Sequence, residues 1–314
     1  MKKFLLKIIV FSVIPIFIIL LLLFVMDKYH QYLPSKMYYS NEFNKAFNEN
    51  DIALIALGNS KLLASIDKEK LDKQTGIKSA ILGYSSANIS ISKLILESYL
   101  NKAEQKPKLV LLEVSWFTFN KKRTHFHGIS GDLFIKDYRL WKNYFDYYPE
   151  INSKIASSTY KNLIKFFKKE KKYTYYNDEF IKKTPFFKEY QFKIEDFEVV
   201  FPNHIAGVNQ LLLKDFKSII NMCKEYNIEL ILYSAPEDEQ YSKMQKDNKE
   251  VKDIFYEVAT NNLNVFYLDY TLGGSFWDKK YEMWLLNSHH INENDLFTEV
   301  LIHDIKSIQK KLKF

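Results

Sequence analysis

From Ile52 onward, short apolar runs alternate with longer stretches in which apolar residues recur every third or fourth position. The short runs are too brief for helices and rich in β-branched residues, the mark of buried strands. They predict strands over Ile52–Leu57, Lys78–Leu82, Lys108–Val114, Ile228–Ser234 and Val265–Leu268. The stretches between them predict helices over Lys61–Lys73, closed by Gly76, and over Ala87–Ala103, where Ile91, Leu94, Ile95 and Tyr99 keep helical spacing. Further helices are predicted over Leu211–Tyr226, Lys249–Asn261 and Leu296–Lys311. Strands of this kind separated by amphipathic helices specify a parallel sheet covered on both faces, a three-layer α/β/α arrangement. Such sheets collect their chemistry at the carboxyl ends of the strands, and Ser60, Gly83 and Ser115 each follow a strand end.

Two regions depart from the alternation. Residues 138–201 are crowded with Tyr, Phe and Lys, as in Lys165-Phe-Phe-Lys-Lys-Glu-Lys-Lys172, and read as an aromatic and basic insertion, partly helical, over the strand ends. A solvated basic helix packed through its aromatics accounts for that composition. A surface for lipid headgroups, an anionic polymer or a membrane partner is the alternative. At the other extreme, Ile8–Met26 carries no charge and is preceded by Lys2, Lys3 and Lys7. As a helix it spans roughly 28 Å, close to the hydrocarbon thickness of a bilayer. A cleaved signal peptide is the competing reading, but the run ends Leu-Leu-Leu-Phe-Val-Met-Asp27 without a small-residue cleavage site. The expectation is an uncleaved anchor over 1–26, a connector over 27–50 broken by Pro34, and a domain over 51–314. Lysines ahead of the span and few basic residues just after it place the N-terminus in the cytoplasm and the body outside.

Composition narrows the partners. The 314 residues are 47% hydrophobic, enough for a sizeable core, and carry a formal charge of +7. That charge suits an anionic membrane surface or envelope polymer. Nucleic acid is not expected for a body outside the membrane. Cys223 is the single cysteine, so no intramolecular disulfide and no cysteine-rich metal site can form. His125-Phe-His127 and His289-His290 are the only close histidine pairs, and there is no His-Glu-x-x-His helix, so no metal is expected. No cofactor is expected either: there is no Walker or dinucleotide loop, and Gly273-Gly274 reads as a turn.

The candidate chemistry lies at two distant places. Ile52-Ala-Leu-Ile-Ala-Leu-Gly58-Asn59-Ser60-Lys61 is a strand ending in Gly-x-Ser ahead of helix-forming residues. That junction lifts a hydroxyl out of the sheet edge beside free backbone N–H groups. Asn287-Ser-His289-His290-Ile-Asn292 can supply the imidazole a serine needs to become a nucleophile.

Gly58-Asn-Ser60, then Ser65-Ile-Asp67, then Thr75-Gly76-Ile-Lys-Ser-Ala-Ile-Leu-Gly83-Tyr-Ser-Ser resembles the opening of the SGNH/GDSL hydrolase family. Phe276-Trp-Asp278 followed by Asn287-Ser-His-His290-Ile-Asn292 resembles the closing motif of its membrane-anchored branch, which includes the D-alanine transfer protein of teichoic acid biosynthesis and exopolysaccharide O-acetylation proteins. The resemblance covers roughly residues 50–120 and 225–312. It implies an SGNH-like fold with Ser60 as nucleophile, His290 as general base, and the Gly83 and Ser60 N–H groups holding the oxyanion. Two departures stand out. The acid that usually lies three residues before the histidine is Asn287, which can orient an imidazole but cannot stabilise an imidazolium by charge. Asp278 and Asp269 are alternative orienting acids, and His289 an alternative base. The broader family's oxyanion asparagine is also missing from Leu112-Glu113-Val-Ser-Trp-Phe117, as it often is in the anchored branch.

The implied activity is an O-acyl esterase or acyltransferase acting on a cell-envelope polysaccharide or polymer, with an acyl donor or acylated polymer as partner. By resemblance, a multi-span membrane O-acyltransferase is a candidate acyl source. The second class is a catalytically weakened relative that binds polymer or scaffolds an assembly complex.

Overall fold

Five short strands pair entirely in parallel, in the order β2-β1-β3-β4-β5. The structure is a computed structural model and describes residues 17, 45–46, 48–83, 87–116, 118–119, 208–236, 248–271 and 294–312. The chain divides into two compact units, residues 1–40 with 129–174 and residues 41–128 with 175–314. Every described residue except Phe17 belongs to the second. The anchor predicted over 1–26, apart from Phe17, and the insertion over 138–201 lie outside the described residues. No helix among the described residues is long and apolar enough to cross a membrane.

The strands are β1 Leu54–Gly58, β2 Ser79–Gly83, β3 Leu109–Glu113, β4 Glu229–Ser234 and β5 Val265–Asp269. The helices are α1 Ser60–Ser65, α2 Lys68–Thr75, α3 Ile89–Lys102, α4 Gln210–Glu225, α5 Asn248–Asn261 and α6 Asn294–Leu312. Each strand predicted from the apolar runs is present within two residues at either end. β1, β2 and β3 are buried along their whole length, as continuous apolar runs require.

Side chains alternate across a strand, so each face has its own core. Leu54, Ala56, Ile81, Leu109, Leu111, Ile231 and Tyr233 pack with Leu62, Leu71, Phe297, Leu301 and Ile305 of α1, α2 and α6. The intervening residues Ile55, Leu57, Val110, Leu112, Leu230 and Leu232 are buried toward the opposite side. There α3 packs on α4, and Phe119, Phe216 and Phe255 meet with ring centroids 5.3 to 5.7 Å apart. The three-layer α/β/α expectation therefore holds for the described residues.

One predicted helix is corrected. Lys61–Lys73 is two helices, because Ile66 and Asp67 are extended. Asp67 caps α2, its carboxylate accepting from the Lys70 N–H at 3.0 Å, while its own N–H donates to Thr298 Oγ1 at 2.9 Å. A local cap and a tertiary contact with α6 together outweigh the continuous helical pattern. Gly76 ends α2 in the left-handed conformation (φ 68°), as its position after the helix predicts. Asn209 caps α4, accepting from Leu211 and Leu212 N–H at 2.9 and 3.3 Å.

Cys223 is buried on α4, and burial pushes its thiol up to about 12. Burial also raises the phenols of Tyr233 and Tyr270, the latter further by its hydrogen bond to Asp304. All three groups keep their protons in the folded chain and lose them more easily when it unfolds. The stability this confers is complete below the unfolded values and declines as pH rises through them toward the folded ones. The melting temperature should therefore fall steeply above about pH 9, and Tyr270→Phe should make that fall shallower in thermal scans. Asp67→Ala should cost about 1 kcal/mol in urea unfolding through loss of the α2 cap.

Candidate active site

The order 2-1-3-4-5 reverses direction between β1 and β3, and the crevice above such a reversal is where open α/β sheets bind ligands. β1 delivers Ser60 to that place. The chain leaves the strand at Gly58, and Asn59, buried and extended, caps α1 by accepting from the Lys61 N–H at 2.7 Å. Ser60 is the first residue of α1, with a half-buried side chain and a backbone N–H among those that a helix start leaves without an intrahelical partner.

A row of residues crosses the carboxyl edge in register. Gly83 pairs with Gly58, Glu113 follows the Leu57–Leu112 pair beside Gly58, and Tyr233 pairs with Glu113. The two glycines are there because α1 and its neighbours come close. A methyl at Gly83 would lie 2.9 to 3.0 Å from the ends of Leu63 and Leu62. One at Gly58 would lie 2.7 Å from Glu113 Cβ and 3.0 Å from Leu62 Cβ. Gly83 thus stands one strand from Gly58 and makes room for the helix that carries Ser60.

Beneath α1 the row is polar. Glu113 is only 4% exposed and Tyr233 is fully buried. The Tyr233 hydroxyl and Ser65 Oγ share a hydrogen bond of 3.3 Å at the end of α1. Burial, and then the charge of Glu113, hold the phenol well above its ordinary value despite that bond. Lys61, next to Ser60, is 2% exposed. Above the edge, Gly58, Asn59, Asn88, Ser92, Glu113 and Thr118 line a cleft with room for about one water molecule. Ser115 lies just beyond, buried, with its N–H donating to Thr118 Oγ1 at 2.8 Å, so it is not the exposed hydroxyl of this edge.

Of the residues singled out from sequence, the structure places Ser60 and Gly83 together at the carboxyl edge of adjacent strands. His290, His289, Asn287 and Asp278 lie outside the described residues. Asp269 is described and is already engaged at the end of β5. Its carboxylate takes Lys252 Nζ at 2.8 Å and the Thr271 N–H at 3.0 Å. Three strand spacings, about 14 Å, separate β5 from β1. Glu113, Lys61 and Tyr233 were not singled out, although Glu113, like Glu229, is a charged side chain inside an apolar strand run. Among the described residues no group of three or more His, Cys, Asp or Glu side chains could hold a metal ion.

No protein-family profile and no curated protein matches the chain. Solved structures similar to it include a GDSL-like lipase from Bacteroides thetaiotaomicron, at 10% identity and a TM-score of 0.43, covering 88% of this chain and 98% of the other. A protein described as an acylhydrolase from Bacteroides fragilis is similar at 11% identity and a TM-score of 0.43, with 88% and 96% covered.

Both glycines can be tested sterically. Gly58→Ala sets its methyl against the Cβ atoms of Glu113 and Leu62, which cannot swing away, and should destabilise by about 1–3 kcal/mol. Gly83→Ala meets the flexible ends of Leu62 and Leu63 and should cost less. Urea midpoints of the two variants should fall in that order.

Proposed function

We propose that the protein is a serine-dependent O-acyl esterase or acyltransferase, anchored by its N-terminal segment and acting outside the membrane on an acylated cell-envelope polysaccharide or polymer. The observation that carries this reading is the half-buried Ser60 at the start of α1, just after the strand that flanks the sheet's reversal, with Gly58 and Gly83 letting the backbone come close. In this reading Ser60 Oγ attacks the acyl carbonyl and its proton passes to His290, with His289 as the alternative. The Ser60 and Gly83 N–H groups donate to the developing oxyanion, a contribution whose loss typically costs about two to three orders of magnitude in rate. Asn287 holds the imidazole tautomer, with Asp278 as the alternative orienter. Collapse of the intermediate releases the alcohol as the histidine hands the proton to the leaving oxygen; the histidine then takes a proton from water or a sugar hydroxyl as that oxygen attacks the acyl carbon, and returns it to Ser60 Oγ when the acyl group departs. No cofactor is needed for these steps. The multi-span O-acyltransferase partner and the cytoplasmic N-terminus belong to the same proposal and rest on the resemblance and on the lysines before residue 8.

The full chain in detergent should cleave p-nitrophenyl acetate and be labelled by a fluorophosphonate, and Ser60→Ala should abolish both. Well-folded wild-type protein that resists labelling would instead point to a polymer-binding or scaffolding relative. Asn287→Asp should raise the esterase rate; an unchanged or lower rate would remove Asn287 from the orienting role.

A further inference from the structure

We propose that Thr298 is a positioning residue for Ser60: its hydroxyl fixes the far end of α1 and so sets where that helix holds the serine at its start. This inference rests on the serine-esterase reading and adds to it a residue of α6 that takes no part in the bond changes.

α1 has six residues, so its ends lie only about 8 Å apart and a tilt at one is felt at the other. A helix this short has little stability of its own and takes its direction from what holds it. The start is held locally. Asn59 accepts from the Lys61 N–H at 2.7 Å, and the Leu63 N–H donates to the Asn59 carbonyl at 3.4 Å. The middle is held by packing, since Leu62 is fully buried in the core that α1 shares with Phe297, Leu301 and Ile305 of α6. The end is a different case. Ile66, directly after the helix, is extended, so no left-handed glycine cap closes the last turn there.

Thr298 meets the chain at that end. Its hydroxyl accepts from the Asp67 N–H at 2.9 Å and donates to the Ser65 carbonyl at the longer distance of 3.5 Å. One fully buried hydroxyl therefore spans the joint between α1 and α2. An N–H removed from water is costly to leave without an acceptor, so the shorter bond ties the joint to α6. The neighbours of Thr298 keep it in place. Phe297 packs edge-on against Tyr270 with ring centroids 5.1 Å apart, and Glu299 pairs with Lys70 of α2 at 2.5 Å. From the sheet side, the Tyr233 hydroxyl meets Ser65 Oγ at 3.3 Å. Contacts from α6 and β4 thus converge on the last residue of α1, opposite the one that carries the reactive hydroxyl.

The test uses the full chain in detergent with a fluorophosphonate: Ser60 Oγ bonds to phosphorus, the P–F bond breaks, and fluoride and the serine proton leave. Labelling rates should be compared for wild type, Thr298→Val, Thr298→Ser and Asn209→Ala, with Ser60→Ala as control and thermal melts to establish folding. Thr298→Val keeps the branched shape and removes the hydroxyl. It should label about tenfold slower, short of the roughly hundredfold that a 1 Å misplacement can cost. Thr298→Ser keeps the hydroxyl and should restore the wild-type rate. Asn209→Ala removes the α4 cap, so it should lower stability without slowing labelling. Hydrogen exchange of the amides of residues 61–67 should quicken in Thr298→Val and not in the other two variants. Folded Thr298→Val that labels or exchanges like wild type overturns the proposal. A slowing that Asn209→Ala shares, or that Thr298→Ser does not reverse, overturns it as well, because loss of stability or of packing then accounts for the rate. Absence of Ser60-dependent labelling in wild type overturns the esterase reading and this inference together, so the two failures are distinguishable.

Discussion

The close approach of α1 to the sheet edge sets everything else about this site. Two neighbouring strands each end in glycine, and the space they leave is filled by Leu62, Leu63 and the Glu113 side chain. A single extra methyl on β1 would press on atoms that have nowhere to go. Because the helix sits so low, its first residue emerges at the carboxyl edge rather than above it. The row Gly83, Gly58, Glu113, Tyr233 then forms a floor that changes from bare backbone to buried polar groups across four strands.

Much of the framework was legible in the sequence because the governing signal is one of period. The five strands are short apolar runs, and a parallel sheet covered on both faces asks for little more than that. Lys61–Lys73 shows where the signal ends. Its pattern is helical throughout, yet Asp67 prefers to cap, and its N–H is claimed by Thr298 far along the chain. No local pattern reveals a partner separated by 231 residues.

The site was readable to a different degree. Ser60 and Gly83 could be singled out because a strand end followed by Gly-x-Ser, or by glycine, has few local alternatives. That Gly58 and Gly83 stand side by side depends on strand order, which periodicity does not encode. Glu113 carried a visible signal, an acid in an apolar strand, but its place beside Gly58 follows only from β3 adjoining β1. Asp269 shows the reverse: a plausible acid by sequence, it is bound by Lys252 at the far edge of the sheet.

The Asp67–Thr298 link also bears on when the serine turn acquires its support. Helix α1 is too short to persist alone, and the segment that braces its far end is α6, which leaves the ribosome last of the described elements. The Ser65 carbonyl at the end of α1 accepts from the same threonine hydroxyl. A nascent chain lacking that helix would hold α1 only through its contacts with β1 and β2. The support of the Ser60 turn is thus completed as a late event of biosynthesis, coupled to the arrival of α6 as well as to the nearby sequence.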